Sequence, residues 1–189
     1  MRLFRYIREE MVDLAFDPLA EPPPDPWADR SDYGEPLEEE EPEEDELSSP
    51  KKLMAHKEKV LGGLVQLLEK SDKVSNPRKL LADLRNREAK ATTGLGRGIA
   101  MPHVRTNQAR GFAMAVAVAP EPGIEFAAVD GEPVRLFVAM VAPAHDDRFY
   151  LKVERTLAAA FEEGDELRDA LIAAESPGEV LRLLSDRID

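Results

Sequence analysis

The sequence predicts an α/β fold, a three-layer α/β/α sandwich with a mixed central sheet, preceded by an acidic disordered N-terminal segment. Three observations carry this prediction. Residues 112–118, and 134–141 apart from Arg135, are apolar at odd and even positions alike, the pattern of strands covered on both faces. Segments of helical periodicity precede and follow them, supplying a layer for each face. The formal charge of −13 is concentrated in one stretch: residues 1–50 hold seventeen of the 38 acidic side chains and four of the 25 basic ones, leaving twenty-one of each beyond. At 189 residues, 43% hydrophobic, the chain allows one compact domain plus extra chain.

That charge distribution excludes a uniformly acidic surface and a basic nucleic-acid-binding domain, since no part carries the Lys and Arg excess that phosphate-backbone binding requires. The absence of cysteine excludes a disulfide framework, a thiolate metal site and a cysteine nucleophile. No run approaches the roughly 18 apolar residues of a membrane span, and the N-terminus lacks a signal-peptide core, so no membrane insertion and a cytoplasmic location are expected.

Along the chain, residues 1–20 alternate Val12, Leu14 and Phe16 with Asp13, Ala15 and Asp17, which predicts one half-buried strand of the domain. Residues 21–50 contain seven prolines, runs of glutamate and few aliphatics, and cannot bury enough apolar surface to offset their ordering entropy. They read as a disordered linker, either a solvated spacer or a docking segment for a basic partner. The domain proper is expected over 51–189. Leu53, Val60, Leu61, Leu64, Val65, Leu67 and Leu68 recur at helical spacing, with Lys51, Lys52, Lys57 and Lys59 between them, predicting an amphipathic helix over 52–70. Asn76-Pro77 is an N-cap followed by proline at the first helical position, opening a helix through Leu80, Leu81 and Leu84 to Arg87 or Glu88.

Three alternate glycines in Ala91-Thr-Thr-Gly-Leu-Gly-Arg-Gly98 predict a tight loop, followed by a short strand, 99–101. The two central strands come next, joined through the turn sequence Val129-Asp-Gly-Glu-Pro133. Helices are expected over 146–161 and 165–174. A last helix opens at Ser176-Pro-Gly-Glu179, a capping-box pattern, and continues through Val180, Leu181 and Leu184.

The chemistry-bearing candidate is His103, which follows Ile99-Ala-Met-Pro102. Proline removes a backbone donor, so strand pairing is expected to end there and leave His103 at the rim of the sheet. By itself, a histidine at a strand end fits a structural as well as a chemical role. Gly94-Leu-Gly-Arg-Gly98 is not a dinucleotide loop, because Pro102 follows where a helix should open. His56, His103 and His145 lack metal-ligand spacing, and no serine stands in a nucleophile-elbow pattern.

Arg87-Glu88, Thr92-Thr-Gly-Leu-Gly96, Gly98-Ile-Ala-Met-Pro-His103, Gly123-Ile-Glu-Phe126 and Asp130-Gly-Glu-Pro-Val134, in that order and spacing, resemble the type 2 EIIA domain of the bacterial phosphotransferase system. This is the fructose, mannitol and nitrogen-regulatory class, and the resemblance covers roughly residues 51–189. It implies a histidine phosphocarrier without a cofactor. His103 would accept a phosphoryl group from an HPr-type carrier protein, or its nitrogen-branch counterpart, and pass it to an EIIB protein or hold it as a regulatory signal. Arg87 matches the family's active-site arginine, whose forked donors suit phosphoryl oxygens. Thr93, Gly94 and the following backbone N–H groups are candidates for the same phosphate pocket.

Two positions depart from the family pattern. Where many members carry a second active-site histidine followed by leucine, this chain has Tyr150-Leu151, leaving Tyr150, or His145 from the preceding loop, to stand in. The residue after His103 is Val104 rather than a small one, and Arg105 adds a positive charge beside it. The chain has no EIIC span and no EIIB-type cysteine, so a free-standing EIIA is expected, serving either a sugar permease or regulation. The loss of the second histidine also leaves open a regulatory binding module of EIIA fold that no longer transfers phosphate.

Overall fold

The computed structural model describes residues 5–20, 50–145 and 148–188. The predicted disordered stretch falls outside them except for Pro50, and so does the expected helix start at Asp146. Strand β1 is Val12–Asp13, and helices α1, Pro50–Glu69, and α2, Pro77–Glu88, follow. Next come strands β2 to β6: Gly94–Gly96, Ile99–Ala100, His103–Thr106, Ala113–Val118 and Leu136–Pro143. Helices α3, Arg148–Glu163, α4, Glu166–Ile172, and α5, Pro177–Ile188, complete the chain.

The sheet is mixed. β6 lies at its centre, antiparallel to β5 from Val118↔Leu136 to Ala113↔Val141, and parallel to both β3 and β4 on its other side. β1 adds to β5 in parallel, and β2 pairs antiparallel with β3. Every residue of β5 and β6 is buried, so helices cover both faces, as their two-sided apolar pattern predicts.

Paired residues share a face, which places Ala113, Ala115 and Ala117 with Phe137. The Phe137 ring packs edge-to-face on Phe16 and Phe126, and Lys57 of α1 lies over Phe126, so α1 covers this alanine-rich side. Small side chains there let a helix lie close to the sheet. α3, α4 and α5 pack on one another and with the sheet as a second group. The caps follow the sequence: Asn76 Oδ1 accepts from Lys79 N–H at 3.0 Å, and Ser176 Oγ accepts from Glu179 N–H at 3.3 Å.

Three elements differ from expectation. The N-terminal strand is shorter than its alternation suggests, because Asp13 Oδ1 accepts from Ala15 N–H at 2.9 Å and bends the chain; Phe16 N–H still reaches the Val118 carbonyl. The glycine-rich segment is not only a loop. Gly94–Gly96 forms β2, and Arg97-Gly98, both at positive φ, make the two-residue turn of a hairpin into β3.

Nor does pairing end at Pro102. β3 and β4 are two halves of one edge along β6, interrupted only at Met101-Pro102. Proline removes one donor but keeps its acceptor, and the Pro102 carbonyl takes the Met140 N–H at 2.9 Å. The Met101 N–H turns out of the ladder to the Thr93 carbonyl. His103 then opens β4 opposite Met140, inside the sheet edge rather than beyond it.

Candidate functional site

The break at Met101-Pro102 is what aims His103. It leaves the Met101 carbonyl facing the imidazole of the residue two ahead, with 2.7 Å between that oxygen and His103 Nδ1. A carbonyl only accepts, so Nδ1 carries the proton and the lone pair of the neutral ring sits on Nε2. Arg87 Nη2 lies 3.1 Å from Nε2 and donates to it. The side chain of His103 is 17% exposed, enough for its outer nitrogen to be reached from solvent.

Arg87 sits in the last turn of α2, and its second guanidinium arm donates to the Ala91 carbonyl at 3.0 Å, just past the helix end. Its neighbour Glu88 faces the other way, into the protein. The Glu88 carboxylate is almost completely buried, accepts from Thr93 N–H and Thr93 Oγ–H, and pairs with Lys57 Nζ at 2.7 Å. Lys57 also donates to Thr92 Oγ1 at 3.3 Å. α1, α2 and the 92–94 segment are thereby tied together beneath Arg87. A buried carboxylate persists only with such partners.

Around His103 an open cleft of about 820 Å³ is lined by Asp83, Arg87, Lys90, Arg105, Tyr150 and Glu154, among others. Arg105 is exposed on β4, one residue beyond Val104. Tyr150 is buried at the start of α3, its ring centroid 6.1 Å from that of His103. Burial pushes the Tyr150 hydroxyl above its ordinary pKa, and the Glu154 carboxylate adds to this against the opposing charges of Arg87 and Arg105. It therefore stays a protonated donor. One turn along the same face of α3, Glu154 Oε1 lies 3.4 Å from His103 Nε2. On the cleft floor the Thr106 hydroxyl donates to Asp83.

The structure thus brings together His103, Arg87, Arg105 and Tyr150. Thr93 and Gly94 do not line the cleft: the Thr93 hydroxyl is committed to Glu88, and Gly94 packs so tightly that an added Cβ would lie 2.7 Å from Ala128 Cα. Here glycine serves close approach of two backbones. His145 is exposed beyond the end of β6 and does not line the cleft. Sequence reasoning missed Glu154, Glu88 and Lys57. Glu154 carried a readable signal in its position four residues after Tyr150 in a helical segment, and Glu88 stood in the Arg87-Glu88 motif with no role assigned to it.

Chemically, the cleft offers a fixed neutral imidazole with an outward lone pair, and a guanidinium already beside it. That suits attack on an electrophile bearing anionic oxygens. Among the described residues no group of His, Asp or Glu is placed to hold a metal ion, and no helix is long and apolar enough to cross a membrane.

Comparison with known proteins agrees with the geometry. The family model "Phosphoenolpyruvate-dependent sugar phosphotransferase system, EIIA 2" matches residues 44–187. A fructose-specific EIIA component of the phosphotransferase system from Haloferax volcanii is 31% identical over 144 residues, 76% of this chain and 92% of the relative. The crystal structure of the nitrogen regulatory protein IIA-Ntr from Neisseria meningitidis superposes with a TM-score of 0.62 at 30% identity, covering 68% of this chain and 86% of the other. The mannitol enzyme IIA of Escherichia coli, solved in complex with phosphorylated enzyme IIB, shares the fold with a TM-score of 0.58 at 24% identity, over 69% and 88% of the two chains. With its three-layer architecture and its motifs running from Arg87 to Val134, the chain belongs to the type 2 EIIA family of the phosphoenolpyruvate-dependent sugar phosphotransferase system.

Proposed function

We propose that this protein is a phosphocarrier in which His103 Nε2 accepts a phosphoryl group from a histidine-phosphorylated HPr-type protein. It then passes the group to an EIIB-type protein or holds it as a regulatory signal. One observation carries the proposal: Nδ1 is committed to the Met101 carbonyl, so the nucleophilic lone pair is on Nε2, met by an Arg87 donor in an open cleft.

In the step, the Nε2 lone pair attacks phosphorus as the donor's P–N bond breaks and its electron pair returns to the donor imidazole. The Nδ1 proton stays in place, and the ring's new positive charge is stabilised by the Met101 carbonyl. Arg87 shifts its donors from Nε2 to the phosphoryl oxygens, and Arg105 and the Tyr150 hydroxyl stand where they can add to this. Onward transfer reverses the sequence. In this reading residues 51–189, joined by β1, are the phosphocarrier unit, and the cytoplasm is the compartment that its donors require.

A binding module of EIIA fold without transfer is the competing reading, favoured by the carboxylate of Glu154 so near Nε2. Incubation with Enzyme I, HPr and labelled phosphoenolpyruvate separates the two. The phosphocarrier takes up acid-labile, base-stable label; a pure binding module stays unlabelled. In the same assay Arg87→Ala slows labelling about 10²–10³-fold, the cost of removing one preorganised oxyanion donor, with circular dichroism unchanged. Wild-type rates in Arg87→Ala would remove the arginine from the mechanism.

A further inference from the structure

Glu154 is an unexpected group to find against a phosphoryl-accepting nitrogen. Its Oε1 is 3.4 Å from His103 Nε2, on the side of the ring that the phosphoryl group must occupy, and both side chains are well shielded, at 28% and 17% exposure. Nε2 carries a lone pair in the neutral ring, so the carboxylate makes no hydrogen bond to it; it is tolerated because Arg87 donates to the same nitrogen from 3.1 Å. α3 holds Glu154 in place through the buried residues that flank it in sequence and along the helix, Val153, Leu157 and Tyr150.

Once phosphorus is bonded to Nε2, its oxygens lie nearer to the ring nitrogen than Glu154 Oε1 does now. A phosphoryl dianion then confronts a carboxylate whose side chain is only 28% exposed. The phosphoryl dianion outweighs the single positive charge that the ring gains, so a net repulsion acts on the phosphorylated state and is absent from the free one. We propose that Glu154 is a tuning residue that destabilises phosphohistidine at His103, making the protein a readily discharged donor with a short-lived phosphorylated form. This rests on the phosphocarrier reading above and assigns to the same site a control over phosphoryl-transfer equilibrium.

The test charges the full-length chain chemically, so that no partner protein enters. Potassium phosphoramidate donates to Nε2, its P–N bond breaking as ammonia leaves and the Nε2–P bond forms. After removal of the reagent, mass spectrometry of the peptide that carries His103, digested at neutral pH, follows the loss of the phosphoryl group in wild type, Glu154→Gln and Glu154→Asp. Glu154→Gln is expected to lengthen the lifetime and raise the final charged fraction roughly two- to fivefold, the range for a partly screened charge pair. Glu154→Asp, which keeps the charge but retracts it, should fall between, with all three melting alike. Equal lifetimes in charged wild type and Glu154→Gln, or a shorter one in the variant, would overturn the tuning role and leave the phosphocarrier reading intact. A wild-type chain that takes no phosphoryl group on His103 would sink both.

Discussion

His103→Ala takes up no phosphoryl label from the phosphoenolpyruvate-driven relay, yet melts within several degrees of the wild-type protein. The two halves of this expectation have separate causes. All label is lost because the other histidines are unsuited: His56 Nε2 is buried without a hydrogen-bond partner, and His145 lies outside the cleft. The fold survives because the β4–β6 ladder at Met140 is backbone. The side chain forfeits its neutral hydrogen bond to Met101, while Arg87, which also donates to Nε2, keeps its Ala91 partner and turns its other arm to the open cleft. The lost bond is worth about 1 kcal/mol, or roughly 4–8 °C for a small domain and less for a larger one. Gel autoradiography with a thermal melt followed by circular dichroism checks both halves. Label persisting in His103→Ala would move the acceptor elsewhere.

Lys57→Met has the opposite signature, a large loss of stability from a residue that touches no reacting atom. Its ammonium is 2.7 Å from Glu88 Oε1, also reaches Thr92 Oγ1, and lies 4.7 Å from the centre of the Phe126 ring, all below the surface. Removing it leaves the Glu88 carboxylate with the Thr93 donors but no compensating charge. Breaking a buried pair in this way costs about 3–5 kcal/mol. Replacing both members, Lys57→Met with Glu88→Leu, should recover much of the loss, because no orphaned charge remains. Urea denaturation of the two single variants and the double variant gives the coupling directly. Additive losses would show that the pair is not the unit of stability described above.

The layers and helices were legible because they depend on periodicity. The all-apolar runs around Val116 and Val138 predicted doubly covered strands, and Asn76-Pro77 marked a helix start that the structure keeps. β2 and β4 were not, for different reasons. Gly94-Leu-Gly96 has no strand signal of its own and pairs only because the Arg97-Gly98 turn returns the chain onto it. Pro102 signalled a strand end locally, but β6 runs past it and resumes pairing with His103.

The site divides in the same way. His103 and Arg87 were legible from motif resemblance, and the geometry sets them 3.1 Å apart. Thr93 and Gly94 were drawn in by a loop composition that suits an anion-binding nest, whereas the buried Glu88 turns the Thr93 side chain inward. Lys57 looked like one more lysine on a polar helix face. Nothing local distinguishes it from Lys51, Lys52 or Lys59, since its partner stands 31 residues away. Glu154 carried only its helical spacing from Tyr150, and that it faces Nε2 depends on how α3 docks against the sheet.

In the proposed mechanism Met101 holds the Nδ1 proton and leaves Nε2 as the phosphoryl-bearing atom. Phosphorylated protein labelled with ¹⁵N in its histidines tests this through the imidazole nitrogens by NMR. Phosphorus coupling is expected at His103 Nε2, with Nδ1 still protonated. Phosphorus coupling at Nδ1, or at a histidine other than His103, would contradict it.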